Sequence, residues 1–113
     1  MTTTRNRIVV GVDGSGESRV AVDAAAAEAV LRNRPLHIVH ADPFGLPAHS
    51  DSAPLPDEPD YGVNAALARA RAGAPGIAVT AEVARGFPQP VLVAASRAAE
   101  LVVIGDRRLG AIG

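Results

Sequence analysis

The chain has 113 residues, enough for one domain of ordinary size and too few for two. It holds 23 alanines and 11 arginines but no lysine and no cysteine, so disulfides, thiolate catalysis and zinc–cysteine sites are excluded. A net charge of −1 argues against non-specific nucleic-acid binding, and a hydrophobic content of 48% suits a core built from Val, Leu, Ile and Ala. Met1 to Arg7 lacks the apolar centre of a signal peptide, and no apolar run approaches the ~20 residues of a membrane span. These features predict a soluble, cytoplasmic protein with neither nucleic acid nor membrane as partner.

Ile8-Val9-Val10-Gly11-Val12 is a short, β-branched apolar run of the kind buried on both faces of a parallel sheet. Asp13-Gly14-Ser15-Gly16 follows as a turn. Val20, Ala24, Ala27 and Leu31 then fall at i, i+4, i+7 and i+11, which predicts a helix burying that stripe. Ser15 fits its N-cap, and Glu17 lies in the first turn, where the helix dipole favours an anion. Asn33 and Pro35 close the helix.

Leu36 to Ala41 reads as a second strand. Residues 42–60 hold five of the nine prolines and no periodicity, and read as a Pro-rich loop. Tyr61 to Gly73 returns to helix, with Val63, Leu67 and Ala70 inward. Ile77 to Val83 reads as a third strand. Pro88 to Ala99 reads as a helix with Val91, Leu92, Ala95 and Ala98 inward and prolines tolerated in its first turn. Leu101-Val102-Val103-Ile104 is a fourth strand, followed by the turn Gly105 to Gly110.

The order βαβαβαβ predicts an α/β domain over residues 1–113, a parallel sheet with right-handed crossovers and helices on both faces. In such sheets ligands bind beyond the carboxyl ends of the strands, where the strand order reverses. The two Gly-rich turns follow strands one and four. If those strands are neighbours, as in the order 3-2-1-4, both turns flank one crevice; the flavodoxin-like order 2-1-3-4 also fits the pattern.

Several familiar motifs fail on inspection. Gly11 to Ser18 has the spacing of a phosphate-binding P-loop, but Glu17 occupies the lysine position and would repel phosphate. A dinucleotide fingerprint from Gly14 and Gly16 meets Arg19 where the third glycine belongs. His37 and His40 lie three apart on one strand and point to opposite faces, so they cannot share a metal. No nucleophile has a base at recognisable spacing, and no carboxylate pair stands out, so no catalytic residue is assigned.

The run from Ile8 to Ala21, the second strand ending His40-Ala41, the Gly86 turn and Leu101 to Gly105 together resemble the universal stress protein family over nearly the whole chain outside the Pro-rich loop. The resemblance implies a Rossmann-like fold of the adenine nucleotide alpha hydrolase type, a parallel sheet in the order 3-2-1-4-5 and, usually, a dimer. It also implies a division between members that bind ATP and members that bind no nucleotide. The binders are similar in carrying G-x-x-G, nine residues and G-[ST] after strand four. Here Gly105 matches the first glycine, Arg108 replaces the second, and the closing element would fall beyond Gly113.

Carried over position by position, the resemblance assigns adenine and ribose contacts to Gly11, Val12, Asp13 and Ala41, and ribose and phosphate contacts to Ile104, Gly105 and Arg107; Arg108, in place of the glycine, either blocks the close approach of backbone amides to phosphate or contributes a cation there. A carboxylate at Asp13 can accept from a ribose hydroxyl. The expectation is an adenine nucleotide, ATP or AMP, bound weakly or not at all, with Mg2+ only alongside nucleotide. The family's fifth strand is expected to be missing, roughly 30 residues being needed for one more helix and strand. Leu101 to Ile104 would then be an apolar sheet edge that invites self-association, as a homodimer or a swapped pair. A nucleotide-free association module and a dinucleotide-binding enzyme are the alternative expectations.

Overall fold

Backbone amides in the β-branched runs find their partners in parallel neighbours, and that pairing fixes the architecture. The computed structural model describes residues 6–12, 16–42, 63–106 and 110–112. The strands are β1 (Arg7–Val12), β2 (Leu36–Asp42), β3 (Val79–Arg85), β4 (Ala99–Asp106) and β5 (Gly110–Ile112), and the helices α1 (Gly16–Arg32), α2 (Val63–Gly73) and α3 (Pro88–Ser96). The sheet order is β3-β2-β1-β4-β5. The first four strands are parallel in the order 3-2-1-4, which excludes 2-1-3-4.

At the edge the chain does something the sequence pattern did not suggest. β5 runs antiparallel to β4, pairing Ile104 with Ile112, Gly105 with Ala111 and Asp106 with Gly110. It is a short hairpin strand, distinct from a fifth parallel strand reached through a helix. The expected open edge at Leu101 to Ile104 is therefore covered at Ile104, while Leu101 to Val103 keep that side unpaired among the described residues.

The core lies between the sheet and α1 with α2. Ile8, Val10, Val12, Leu36 and Ile38 from the sheet meet Ala21, Val22, Ala25, Ala26 and Ala29 of α1 and Ala66 and Ala70 of α2. Burying each larger aliphatic side chain contributes roughly 1.5–3 kcal/mol. The stripe predicted for α1 is wrong in phase: Val20 and Leu31 are 61% and 79% exposed, Ala27 is exposed and Ala24 half-buried. Six alanines between positions 21 and 29 make nearly every face of this helix apolar, so periodicity selects no unique face. Close approach to β1 and β4 does the selecting, because alanine lets a helix lie near a sheet.

The alternate residues of β1 and β2 face α3, which crosses β1, β2 and β4 on the other side of the sheet. The inward residues predicted for α3 hold: Val91, Leu92, Ala95 and Ala98 are half-buried, while Val93 and Ala94 are exposed. α3 ends at Ser96 instead of Ala99, because Arg97 and Ala98 donate to Ala94 and Ala95 in tight i→i−3 turns. β3 starts at Val79, two residues later than expected, after a turn in which Gly76 has φ +85° and the Ile77 amide donates to the Ala74 carbonyl. Asp42, predicted as the first loop residue, ends β2; residues 43–60 lie outside the described residues.

Candidate functional site

Register decides which strand ends meet. Gly11 pairs with Ile104, and Val12 pairs with His40, with Ala41 one residue further along β2. The carboxyl ends of β1, β2 and β4 therefore lie side by side. Of the expected site residues, Val12, Ala41, Ile104 and Gly105 are brought together at this end. Val12 is buried, and the other three are half-buried. Asp13, Arg107 and Arg108 lie outside the described residues, as does the Ser15 cap.

Gly11 has a packing reason for being glycine. A Cβ built there would lie 2.9 Å from Cδ2 of Leu92, so α3 rests directly on the strand backbone at this point. Any contact Gly11 makes with a ligand is a backbone contact. Gly86, at the turn into α3, has φ +133°, and its amide donates to the Asp42 carbonyl at 3.0 Å. That bond ties the start of α3 to the end of β2, and so to the rim of the same crevice.

The titratable groups with displaced pKa values sit away from this end. Arg69 donates twice to the carboxylate of Asp23, joining α2 to α1 and holding Asp23 below the ordinary carboxylate range. At the amino ends of the strands, one extra residue in β4 makes a bulge opposite Arg7 and Ile8. There Glu100 accepts from Arg32 at 2.8 Å and from Arg34 at 3.1 Å, and the Arg32 bond is the main cause of its lowered pKa. These pairs lock helix to sheet at the end opposite the crevice.

Among the described residues no cluster of His, Asp or Glu could hold a metal ion, and no helix is long and apolar enough to cross a membrane. The sequence reading missed one polar cluster. His37, 7% exposed and facing α3, shares Nδ1 with the Thr80 hydroxyl at 2.6 Å and Nε2 with Oε1 of Glu82 at 2.7 Å. The signal was present in Thr80-Ala81-Glu82, whose alternation marks one polar face in an otherwise apolar strand.

Comparison with known proteins settles the family. The universal stress protein family model matches residues 4–113. This chain belongs to the universal stress protein family. It is 36% identical to a universal stress protein of Mycobacterium tuberculosis over 93% of this chain and 39% of that one. To a universal stress protein of Mycolicibacterium smegmatis it is 31% identical, over 97% of this chain and 41% of that one. The chain thus spans about two fifths of the length of these relatives. Among solved structures it is similar to a universal stress protein in complex with cAMP, with a TM-score of 0.69 and 28% identity over 93% of this chain and 75% of that one. A universal stress protein from Archaeoglobus fulgidus in complex with dAMP is similar at a TM-score of 0.64 and 26% identity, over 94% of this chain and 85% of that one. The fold is the adenine nucleotide alpha hydrolase-like fold that the resemblance implied.

Proposed function

We propose that this universal stress protein domain binds an adenine nucleotide, AMP or ATP, weakly, in the crevice at the carboxyl ends of β1, β2 and β4, and acts in the stress response by binding without catalysis. The observation that supports the reading is the pairing of Gly11 with Ile104, which brings the carboxyl ends of β1 and β4 side by side. The similarity to family members solved with cAMP and dAMP supports adenine as the recognised base.

Val12, Ala41 and Ile104 would line the base, with Gly105 giving a backbone approach to ribose. From the sequence, Asp13 would accept from a ribose hydroxyl, and Arg107 and Arg108 would supply cations for phosphate; Mg2+ would enter only with the nucleotide. Residues 110–112 return along the β4 end of the crevice as β5. We place the protein in the cytoplasm.

Calorimetric titration with AMP, cAMP, ATP and NAD tests the reading. Adenine mononucleotides are expected to bind, NAD to bind no better, and Asp13→Ala to abolish the signal. A second reading, a nucleotide-free association module working as a homodimer, draws on the unpaired side of β4 at Leu101 to Val103 and on α3, none of whose residues is fully buried. Absence of nucleotide binding together with a concentration-dependent dimer in sedimentation would replace the first reading with the second.

A further inference from the structure

A second concavity lies beside the nucleotide crevice, toward the outer strand β3, and nothing in the nucleotide reading uses it. Between α3 and the outer strand β3 runs a groove of about 360 Å³. Val39 and Ala84 line it from the sheet, and Val91, Ala94 and Ala95 from the helix. The carboxylate of Glu82 stands in this lining, half-exposed and already oriented by His37. Its size falls at the lower end of small-molecule sites, and its make-up, apolar walls with few fixed polar groups, is the usual one for such sites.

Charge complementarity selects the occupant. A carboxylate has about four lone-pair positions, so the bond from His37 leaves Glu82 with acceptor capacity toward the groove. His37 is in turn braced by the Thr80 hydroxyl, so the acid is held in place before any ligand arrives. Pre-orientation of this kind lowers the ordering cost of binding. Arg85 also borders the groove. By strand alternation it shares the face of Ala81 and Val83, away from α3, so the Glu82 carboxylate is the charge set on the groove's own face. We infer that this groove is a binding site for a small organic cation, a protonated amine carried on an apolar body, with the ammonium at Glu82 and the body against Ala84, Val91 and Ala95.

Ala84 pairs with Ala41 of β2, so the groove adjoins the β2 side of the nucleotide crevice, while β1 separates its β2 wall from β4. The inference stands whether or not nucleotide binds.

Tryptamine is a suitable probe, with indole-3-propionate as its anionic counterpart of similar size, each titrated into the 15N-labelled protein. Tryptamine is expected to shift the amides of Glu82, Ala84, Val91 and Ala95 saturably, and indole-3-propionate at the same concentration to leave them in place. Glu82→Gln should weaken tryptamine at least five-fold. Ala94→Phe, a substitution on an exposed helix position that fills the groove, should abolish the shifts without disturbing His37. An equal response to both probes, an unchanged affinity in Glu82→Gln, or shifts confined to Gly11, Ile104 and Gly105 would overturn the assignment.

Discussion

Leu92 of α3 lies directly on Gly11 of β1, close enough that a single added carbon on Gly11 would press on its side chain at 2.9 Å. This contact seats the only described helix on that face of the sheet, and it sits one residue from the end of β1. Replacing Gly11 with Val should therefore cost about 1–3 kcal/mol by overpacking. Leu92→Ala alone should also destabilise, yet the double variant should be less destabilised than the sum of the two, because the shortened side chain vacates the clash. Urea denaturation of the four proteins measures the coupling, and simple additivity would contradict the packing account.

Gly86 carries a conformational demand as well as a steric one. At φ +133°, with a Cβ that would lie 3.0 Å from Cγ2 of Val91, alanine is strained on both counts, and Gly86→Ala should cost about 1–3 kcal/mol. Gly76 is the control: its φ of +85° is also unfavourable to other residues, but nothing lies within 4 Å, so Gly76→Ala should cost only about 1 kcal/mol. A larger loss at Gly76 than at Gly86 would show that the turn into α3 matters less than the geometry indicates.

The exposed side of α1 gives a contrast between two apolar positions. Leu31→Gln should change stability by no more than about 0.5 kcal/mol, since Leu31 is 79% exposed. Ala26→Leu, at a position 2% exposed in the core and beside Gly73 of α2, should cost about 1–3 kcal/mol through overpacking against α2. Thermal midpoints of the two variants are sufficient to check this. The reverse ranking would restore the stripe that simple periodicity picks out.

Acid should loosen the molecule through Asp23 and Glu100. Both carboxyls are held below their ordinary values, Asp23 chiefly by the hydrogen bond from Arg69 and Glu100 chiefly by that from Arg32. Each contributes stability that is fully present above the ordinary carboxylate range, about pH 4, and is lost as pH falls through the lowered folded value. Urea midpoints should therefore drop below about pH 4, and Glu100→Gln should flatten that drop. Both groups are exposed, so added salt should shrink the effect. A midpoint that holds steady from pH 6 to pH 3 would remove these pairs from the account.

Much of the fold is legible in the residues themselves. The β-branched runs at Ile8 to Val12, Leu36 to Ala41 and Leu101 to Ile104, each followed by turn or loop residues, identify parallel strands. Their alternation with helical stretches dictates crossovers on both faces, and the Ile8 to Ala21 stretch points to the family. These signals are local, so one chain segment carries each of them whole. For the candidate site the same logic reaches the strand ends that hold Val12, Ala41, Ile104 and Gly105, because ligand position in an open α/β sheet follows from strand order.

What the tertiary structure alone decided depends on distances between segments remote in sequence. The face α1 buries is one case, since its alanines satisfy several phases equally and only the approach to β1 and β4 separates them. The return of β5 along β4 is another, an antiparallel pairing that three residues of weak pattern do not announce. The clearest is His37 with Thr80 and Glu82. A shift of one residue in the pairing of β2 with β3 would send those side chains to opposite faces, and the register that aligns His37 with Thr80 is set by the packing of two whole strands.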